Sequence, residues 1–216
     1  GQTTSWGGKI NGSPDYTDDF FKTGVTTINS LSLSMGSKAM QTYFSYANTV
    51  GKGVVENNRL MKHNFNFRET ANFLNNKLTI DANINGMYQR GNNRVTSGGY
   101  YMNPLVGLYH FPRGGVEGGK DFYYYKENYQ VLNPSRNMMD QAWYQNASVG
   151  AGDFEQNPYW LINKAPNEDT RYRAMFNLSV KYQFNKLFSL QARGSADFIN
   201  DKNETHMYAG TSSILA

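Results

Sequence analysis

The 216-residue chain is 39% hydrophobic and 15% aromatic but only 18% charged, and its net charge of +4 is scattered without a Lys/Arg run, which argues against a nucleic-acid-binding face. It contains no cysteine, which excludes a disulfide framework and a thiolate zinc site. No apolar run approaches the roughly 20 residues of a membrane helix. The opening Gly1-Gln2-Thr3-Thr4 lacks the basic and apolar regions of a secretory signal, so an export address is expected upstream.

In chain order, six segments alternate apolar and polar residues with period two. Residues 28–35 set Leu31, Leu33 and Met35 against Ser30, Ser32 and Ser34, and residues 39–49 alternate less strictly around Met40, Phe44 and Tyr46. From 61 to 73, Phe65, Phe67, Ala71 and Phe73 oppose Lys62, Asn64, Asn66, Arg68, Thr70 and Asn72. From 77 to 89, Leu78, Ile80, Ala82, Ile84 and Tyr88 oppose Thr79, Asp81, Asn83, Asn85 and Gln89. The cleanest run is 171–184, where Tyr172, Ala174, Phe176, Leu178, Val180, Tyr182 and Phe184 occupy every even position. Residues 188–198 repeat the pattern with Phe188, Leu190, Ala192, Gly194, Ala196 and Phe198. A helix would scatter these side chains around its circumference, so the spacing predicts strands.

The connections sort by length. Gly36-Ser37-Lys38, Asn75-Asn76 and Asn185-Lys186-Leu187 are predicted tight turns. Gly51 to Asn58 and the very long 91–168 lie between them. Short and long links thus alternate, as the periplasmic turns and extracellular loops of an outer-membrane barrel do. The strands also exceed the usual length of about 5–6 residues in soluble sheets. The expected fold class is therefore all-β: an antiparallel meander of about six long strands, part of a roughly 22-stranded transmembrane β-barrel, with one long extracellular loop. Six strands are too few to close a membrane barrel, since about eight is the minimum. The chain thus reads as residues 1–216 of a partial barrel domain, with further wall strands expected beyond both ends. A soluble or surface-exposed β-rich glycan-binding protein is the alternative. In water the apolar strand faces are expected to self-associate or to fold onto the long loop.

The chain resembles the SusC/RagA-like TonB-dependent transporters of Bacteroidetes outer membranes. The matching stretches are Asp18-Asp19-Phe20-Phe21-Lys22-Thr23-Gly24, Asn29-Ser30-Leu31-Ser32-Leu33-Ser34, Thr42-Tyr43-Phe44-Ser45-Tyr46, Gly51-Lys52-Gly53-Val54-Val55, Asn64-Phe65-Asn66-Phe67-Arg68 and Leu78-Thr79-Ile80-Asp81-Ala82-Asn83. Asn103-Pro104-Leu105, Phe111-Pro112-Arg113-Gly114 and Gln156-Asn157-Pro158-Tyr159-Trp160 continue the match. The resemblance implies an early barrel segment in the outer membrane. It also implies TonB and a SusD-like lipoprotein as partners of the whole protein, and import of oligosaccharides or peptides. The TonB box, plug and closing strand of that family are not in this sequence, so the segment alone is expected to be structural. No cofactor and no enzymatic chemistry are implied.

Chemistry is expected in residues 91–168, which hold Tyr100, Tyr101, Tyr123, Tyr125 and Tyr144 as well as the contact candidates. Those candidates, for substrate or partner, are Tyr109, Phe111, Arg113, Tyr124, Trp143, Tyr159 and Trp160, since aromatic faces beside polar groups stack on sugars or anchor proteins. The competing reading is that the rings pack the loop onto itself or sit in an interfacial belt. His63, His110 and His206 are isolated and suggest no metal site. Asp197, Asp201 and Glu204 read as solvated loop charges, because the spacing of a calcium loop is absent. Gly114 to Gly119 reads as a flexible tip, and no Ser/His/Asp arrangement can be argued from order or spacing.

Overall fold

A computed structural model describes residues 15–95, 102–116, 118–144 and 155–211. Tyr100, Tyr101 and Glu117 of the segments singled out above lie outside the described residues. The predicted strands are all present. They are β1 (Val25–Gly36), β2 (Met40–Lys52), β3 (Arg59–Phe73), β4 (Leu78–Asn92), and, after a long insertion, β7 (Asn167–Gln183) and β8 (Ser189–Thr205). They form one antiparallel sheet in the order β1-β2-β3-β4-β7-β8, which does not close on itself. The tight turns fall where expected. In the β3–β4 turn Leu74, Asn75 and Asn76 all adopt left-handed φ, of 54°, 55° and 66°. Asparagine tolerates that region, whereas leucine rarely does.

Register converts the alternation of each strand into two continuous faces. Leu33, Phe44, Phe67, Ile84, Phe176 and Ala196 lie in one row across all six strands. The rows on either side hold Leu31, Tyr46, Phe65, Gly86, Ala174 and Phe198, and Met35, Thr42, Glu69, Ala82, Leu178 and Gly194. A one-residue slip in any strand would turn its apolar set to the other face. The band is interrupted by Thr42 and Glu69, joined by a 2.6 Å bond from the Thr42 hydroxyl to Glu69 Oε2, while Glu69 Oε1 is buried without a hydrogen-bond partner among the described residues.

The apolar band runs along β7 from Ala174 to Tyr182, about the 9–11 residues with which a tilted strand crosses a bilayer. Aromatic side chains mark both of its limits. Towards the short turns stand Phe73, Tyr182, Phe184 and Phe188, the Tyr182 and Phe184 rings meeting edge to face at 4.8 Å. Towards the long links, Tyr46, His63, Tyr88 and Tyr172 stack across four adjacent strands at centroid distances of 6.0, 6.0 and 5.0 Å. Beyond them the same face turns ionic, with Arg90 paired to Glu168 and Lys202 to Glu204. That change explains why the strands outrun the predicted boundaries. Alternation of hydropathy ends at the belt, but the hydrogen-bond ladder continues to Asn92, Asn167 and Thr205.

The opposite face is polar and internally bonded. Asn66 donates to Asn83 at 2.9 Å and also to Asn85, and Asn85 donates to Asn83 at 3.1 Å. Arg68 and Thr70 converge on Asp81, and Arg173 and Arg171 make two-point pairs with Asp197 and Asp201. Asp197, Asp201 and Glu204 are therefore cross-strand or same-strand ion-pair members within β8, which corrects their reading as loop charges.

The segment read as one long loop is a folded unit. Between β4 and β7 lie α2 (Pro104–His110), α3 (Phe122–Glu127), the hairpin of β5 (Gln130–Asn133) and β6 (Met138–Gln141), and α4 (Pro158–Lys164). A short helix, α1 (Tyr16–Phe20), joins them from the N-terminal side. This cap sits at the end of the sheet that bears the long links, because the described residues of 15–24, 53–58, 93–166 and 206–211 emerge there. The strands do not fold onto it. Leu178, midway in sequence between the aromatic residues Tyr172 and Phe184, is 51% exposed and Phe198 is 63% exposed. No helix among the described residues is long and apolar enough to cross a membrane.

Candidate functional site

The cap is built from helices of five to seven residues, too short to persist alone. Local caps start three of them. Asn103 accepts from the Leu105 amide at 3.0 Å and Asn157 from the Tyr159 amide at 2.8 Å, each with proline at the next position. Asp121 accepts from the Tyr124 amide at 2.9 Å to start α3. Packing holds them together. The Phe111 ring lies within 5.2–5.9 Å of Tyr16, Phe122, Tyr125, Trp143 and Tyr144, and Tyr16 stacks on Phe122 at 4.5 Å. The Tyr16 hydroxyl donates to the Phe111 carbonyl at 2.9 Å.

Buried polar groups tie the segments further. Asn157 is fully buried and donates to the Tyr125 and Ala142 carbonyls at 2.9 and 2.8 Å, while its own amide reaches Gln141 Oε1 at 3.1 Å. One side chain thus joins α3, the end of β6 and α4. Gly107 allows α2 to approach α4, since a Cβ there would meet the Gln156 carbonyl at 2.5 Å. Burial raises the Tyr16, Tyr125 and Tyr159 phenol pKa values. Tyr123 is pushed up from 10.0 to about 12, chiefly because its hydroxyl donates to Asp19 at 2.5 Å.

The contact candidates divide into two groups. Phe111, Trp143, Tyr159 and Trp160 are buried, Trp160 completely, with its indole N–H donating to the Thr211 hydroxyl at 3.0 Å. Their rings serve the cap core, which corrects the expectation of stacking faces at these four positions. Apolar area that large is held inside by the hydrophobic effect once neighbouring rings can cover it. Tyr109 (61% exposed), Tyr124 and Arg113 remain on the surface. Tyr124 carries the Lys120 ammonium 4.8 Å above its ring.

Amides fasten the cap to the sheet. Asn57 donates to the Ile162 carbonyl and to Asn163 at 3.2 and 3.0 Å, and Asn58 donates to the Asn93 carbonyl at 2.9 Å. Asn93 accepts from the Asn167 amide at 3.2 Å, and the Asn167 side chain donates to the Arg94 carbonyl at 3.2 Å. At this junction lies a cavity of about 670 Å³. Arg94 and Asp169 face each other across 3.5 Å on its wall, with Met102, Leu161, Ile162 and Thr205 among the other lining residues. Sequence reasoning missed this site. The Asn-Pro pairs at 103–104 and 157–158 were the available signals, since a capping residue followed by proline marks a helix start.

Among the described residues no group of three or more His, Asp or Glu side chains could hold a metal ion. His63 is stacked between tyrosines, and His110 contacts Glu155. No family model matches the chain, and no curated protein matches it either.

Proposed function

We propose that the chain forms part of the wall and external cap of an outer-membrane β-barrel transporter of the SusC-like, TonB-dependent kind. In this reading the whole protein imports oligosaccharides or peptides together with a SusD-like lipoprotein, and this segment is structural. The observation that supports it best is the uncovered apolar band bounded by aromatic belts on both sides. A water-exposed sheet with that face would aggregate, whereas a bilayer solvates the band and the belts lie at its two interfaces.

Two further features support the reading. The polar face is filled with amide and ion-pair networks, as suits the lumen of a wide barrel. Among the described residues both edge strands are long and unpaired on their outer side, and a closed barrel is the arrangement that removes such edges. The cap then lies outside the cell, where Tyr109, Arg113 and Tyr124 are available to a partner or substrate.

Single-cysteine labelling tests the orientation, since the sequence has no native cysteine. In intact outer membrane, Asn177→Cys is expected to react with a water-soluble maleimide that enters the lumen. Leu178→Cys is expected to resist it and to react with a lipid-soluble reagent. Equal reaction of both positions with the water-soluble reagent would oppose the wall reading and favour a soluble β-rich binding protein.

A further inference from the structure

The apolar face of the sheet ends in two charged rows beyond the aromatic residues. The outer row runs Lys52, Arg59, Asn92, Glu168 and Glu204 across β2, β3, β4, β7 and β8. The row beneath it runs Val50, Met61, Arg90, Thr170 and Lys202. Like charges thus stand directly opposite each other twice, Glu168 against Glu204 and Lys52 against Arg59. Such cross-strand pairs repel unless an opposite charge is brought to them.

The acidic pair is resolved within the sheet. Arg90 pairs with Glu168, and Lys202 Nζ stands 2.8 Å from Glu204 Oε1. Among the described residues the basic pair has no such arrangement. Beneath it lie Val50 and Met61, which carry no charge, and Lys52 and Arg59 are both exposed. Glu56, in the link that joins them, lies within electrostatic reach of Tyr159 in the cap. A local excess of positive charge therefore remains at the β2–β3 end of this face.

Position decides which anion answers it. The outer row lies four residues beyond the Tyr88–Tyr172 row. At about 3.3 Å per residue and a tilt of about 40°, that is roughly 10 Å further from the centre of a bilayer. The headgroup zone is about 5–8 Å deep, and long Lys and Arg stems reach back into it. Down the same β2–β3 ladder the face passes to Asn48 and His63, then to Tyr46 and Phe65, then to Phe44 and Phe67. A molecule lying on this ladder meets positive charge at one end and aromatic surface at the other.

We propose that Lys52 and Arg59 bind the phosphate of an outer-leaflet lipid whose acyl chains lie along the β2–β3 ladder. A phosphate accepts from the Lys ammonium and the Arg fork together, and its charge removes the repulsion between them. The inference rests on the wall reading for the presence of a bilayer, and it adds the chemistry of one lipid contact on that wall. Basic clusters at a membrane surface recognise anionic headgroups in this way.

The test is native mass spectrometry of the whole protein in neutral detergent. The probes are monophosphoryl lipid A, the same lipid without its phosphate, and inorganic phosphate as competitor. Retention of the phosphorylated lipid is expected to exceed that of the other at least about 10-fold. The double variant Lys52→Gln/Arg59→Gln is expected to lose this preference, and Arg193→Gln on the polar face to keep it. Equal retention of the two lipids, an unchanged preference in the double variant, or full displacement of the lipid by inorganic phosphate overturns the proposal. Thermal unfolding gives a second reading. The phosphorylated lipid is expected to raise the melting temperature of the unmodified protein but not that of the double variant, and an equal rise in both overturns the proposal. Phosphate-selective binding by a protein that fractionates as soluble would keep the basic site and remove the wall reading. An outer-membrane protein without that selectivity would do the reverse, so the two fail separately.

Discussion

Tyr88 and Tyr172 face each other across β4 and β7 with ring centroids 5.0 Å apart, at the row where the apolar face of the sheet gives way to ion pairs. His63, Tyr88 and Tyr172 share one row across β3, β4 and β7, and Tyr46 of β2 meets His63 diagonally from the next row. Aromatic pairs of this kind contribute about 0.5–1.5 kcal/mol beyond area burial. A double-mutant cycle with Tyr88→Leu and Tyr172→Leu, read by urea unfolding from lipid vesicles, is expected to give a coupling energy in that range. Additive single effects would mean that the two rings are independent.

Leu178 tests the face beside it. It lies midway in sequence between the aromatic residues Tyr172 and Phe184, paired with Ala82 and Gly194 on the neighbouring strands. Arginine at the bilayer midplane of a barrel costs about 2–4 kcal/mol. Leu178→Arg is therefore expected to abolish insertion of the protein into outer membrane. Asn177→Arg, one residue away on the polar face, is expected to insert normally. Normal insertion of both variants would show that Leu178 does not face lipid.

The cap has its own weak point at Asn157. Replacing it with alanine removes a helix cap worth about 0.5–2 kcal/mol. It also strands the Tyr125 and Ala142 carbonyls, at about 1–3 kcal/mol each. Asn157→Ala is expected to make the insertion between β4 and β7 protease-sensitive while the sheet survives, because the cap core and the strand ladder are separate. Loss of the whole fold, or unchanged proteolysis, would contradict that separation.

Tyr123 gives the cap a pH limit. Its folded-state pKa lies above the ordinary value of 10.0, near 12, because the hydroxyl donates to Asp19 and the nearby carboxylates oppose a second negative charge. The protonated phenol is favoured by folding, so its contribution is complete below about pH 10 and is lost as pH rises through about 12. Subtracting the phenolate absorbance of Tyr123→Phe from that of the unmodified protein should isolate a transition near pH 12. A difference titration centred on pH 10 would show that the Tyr123–Asp19 contact is absent.

The sheet was legible in the sequence because its strands carry apolar residues at every second position over most of their length. Tyr172 to Tyr182 shows that pattern, and the register follows from it. The cap was illegible for the opposite reason. Phe111, Phe122 and Trp143 are recruited singly from helices shorter than two turns and from irregular chain, so no period connects them. Exposure followed the same divide. Nothing in the spacing distinguishes buried Trp160 from exposed Tyr109, since only the assembled cap decides which rings find cover. The Arg94–Asp169 pair joins residues on two segments that meet only after the sheet forms, and its cavity had no local signature.

The most direct measurement of the central claim is an immunoblot of fractionated source cells with an antibody raised against this segment. The account predicts a band in the outer-membrane fraction, several times heavier than the 24.5 kDa of the chain. A soluble band near 24.5 kDa would contradict it, leaving an apolar sheet face that some partner other than lipid must cover.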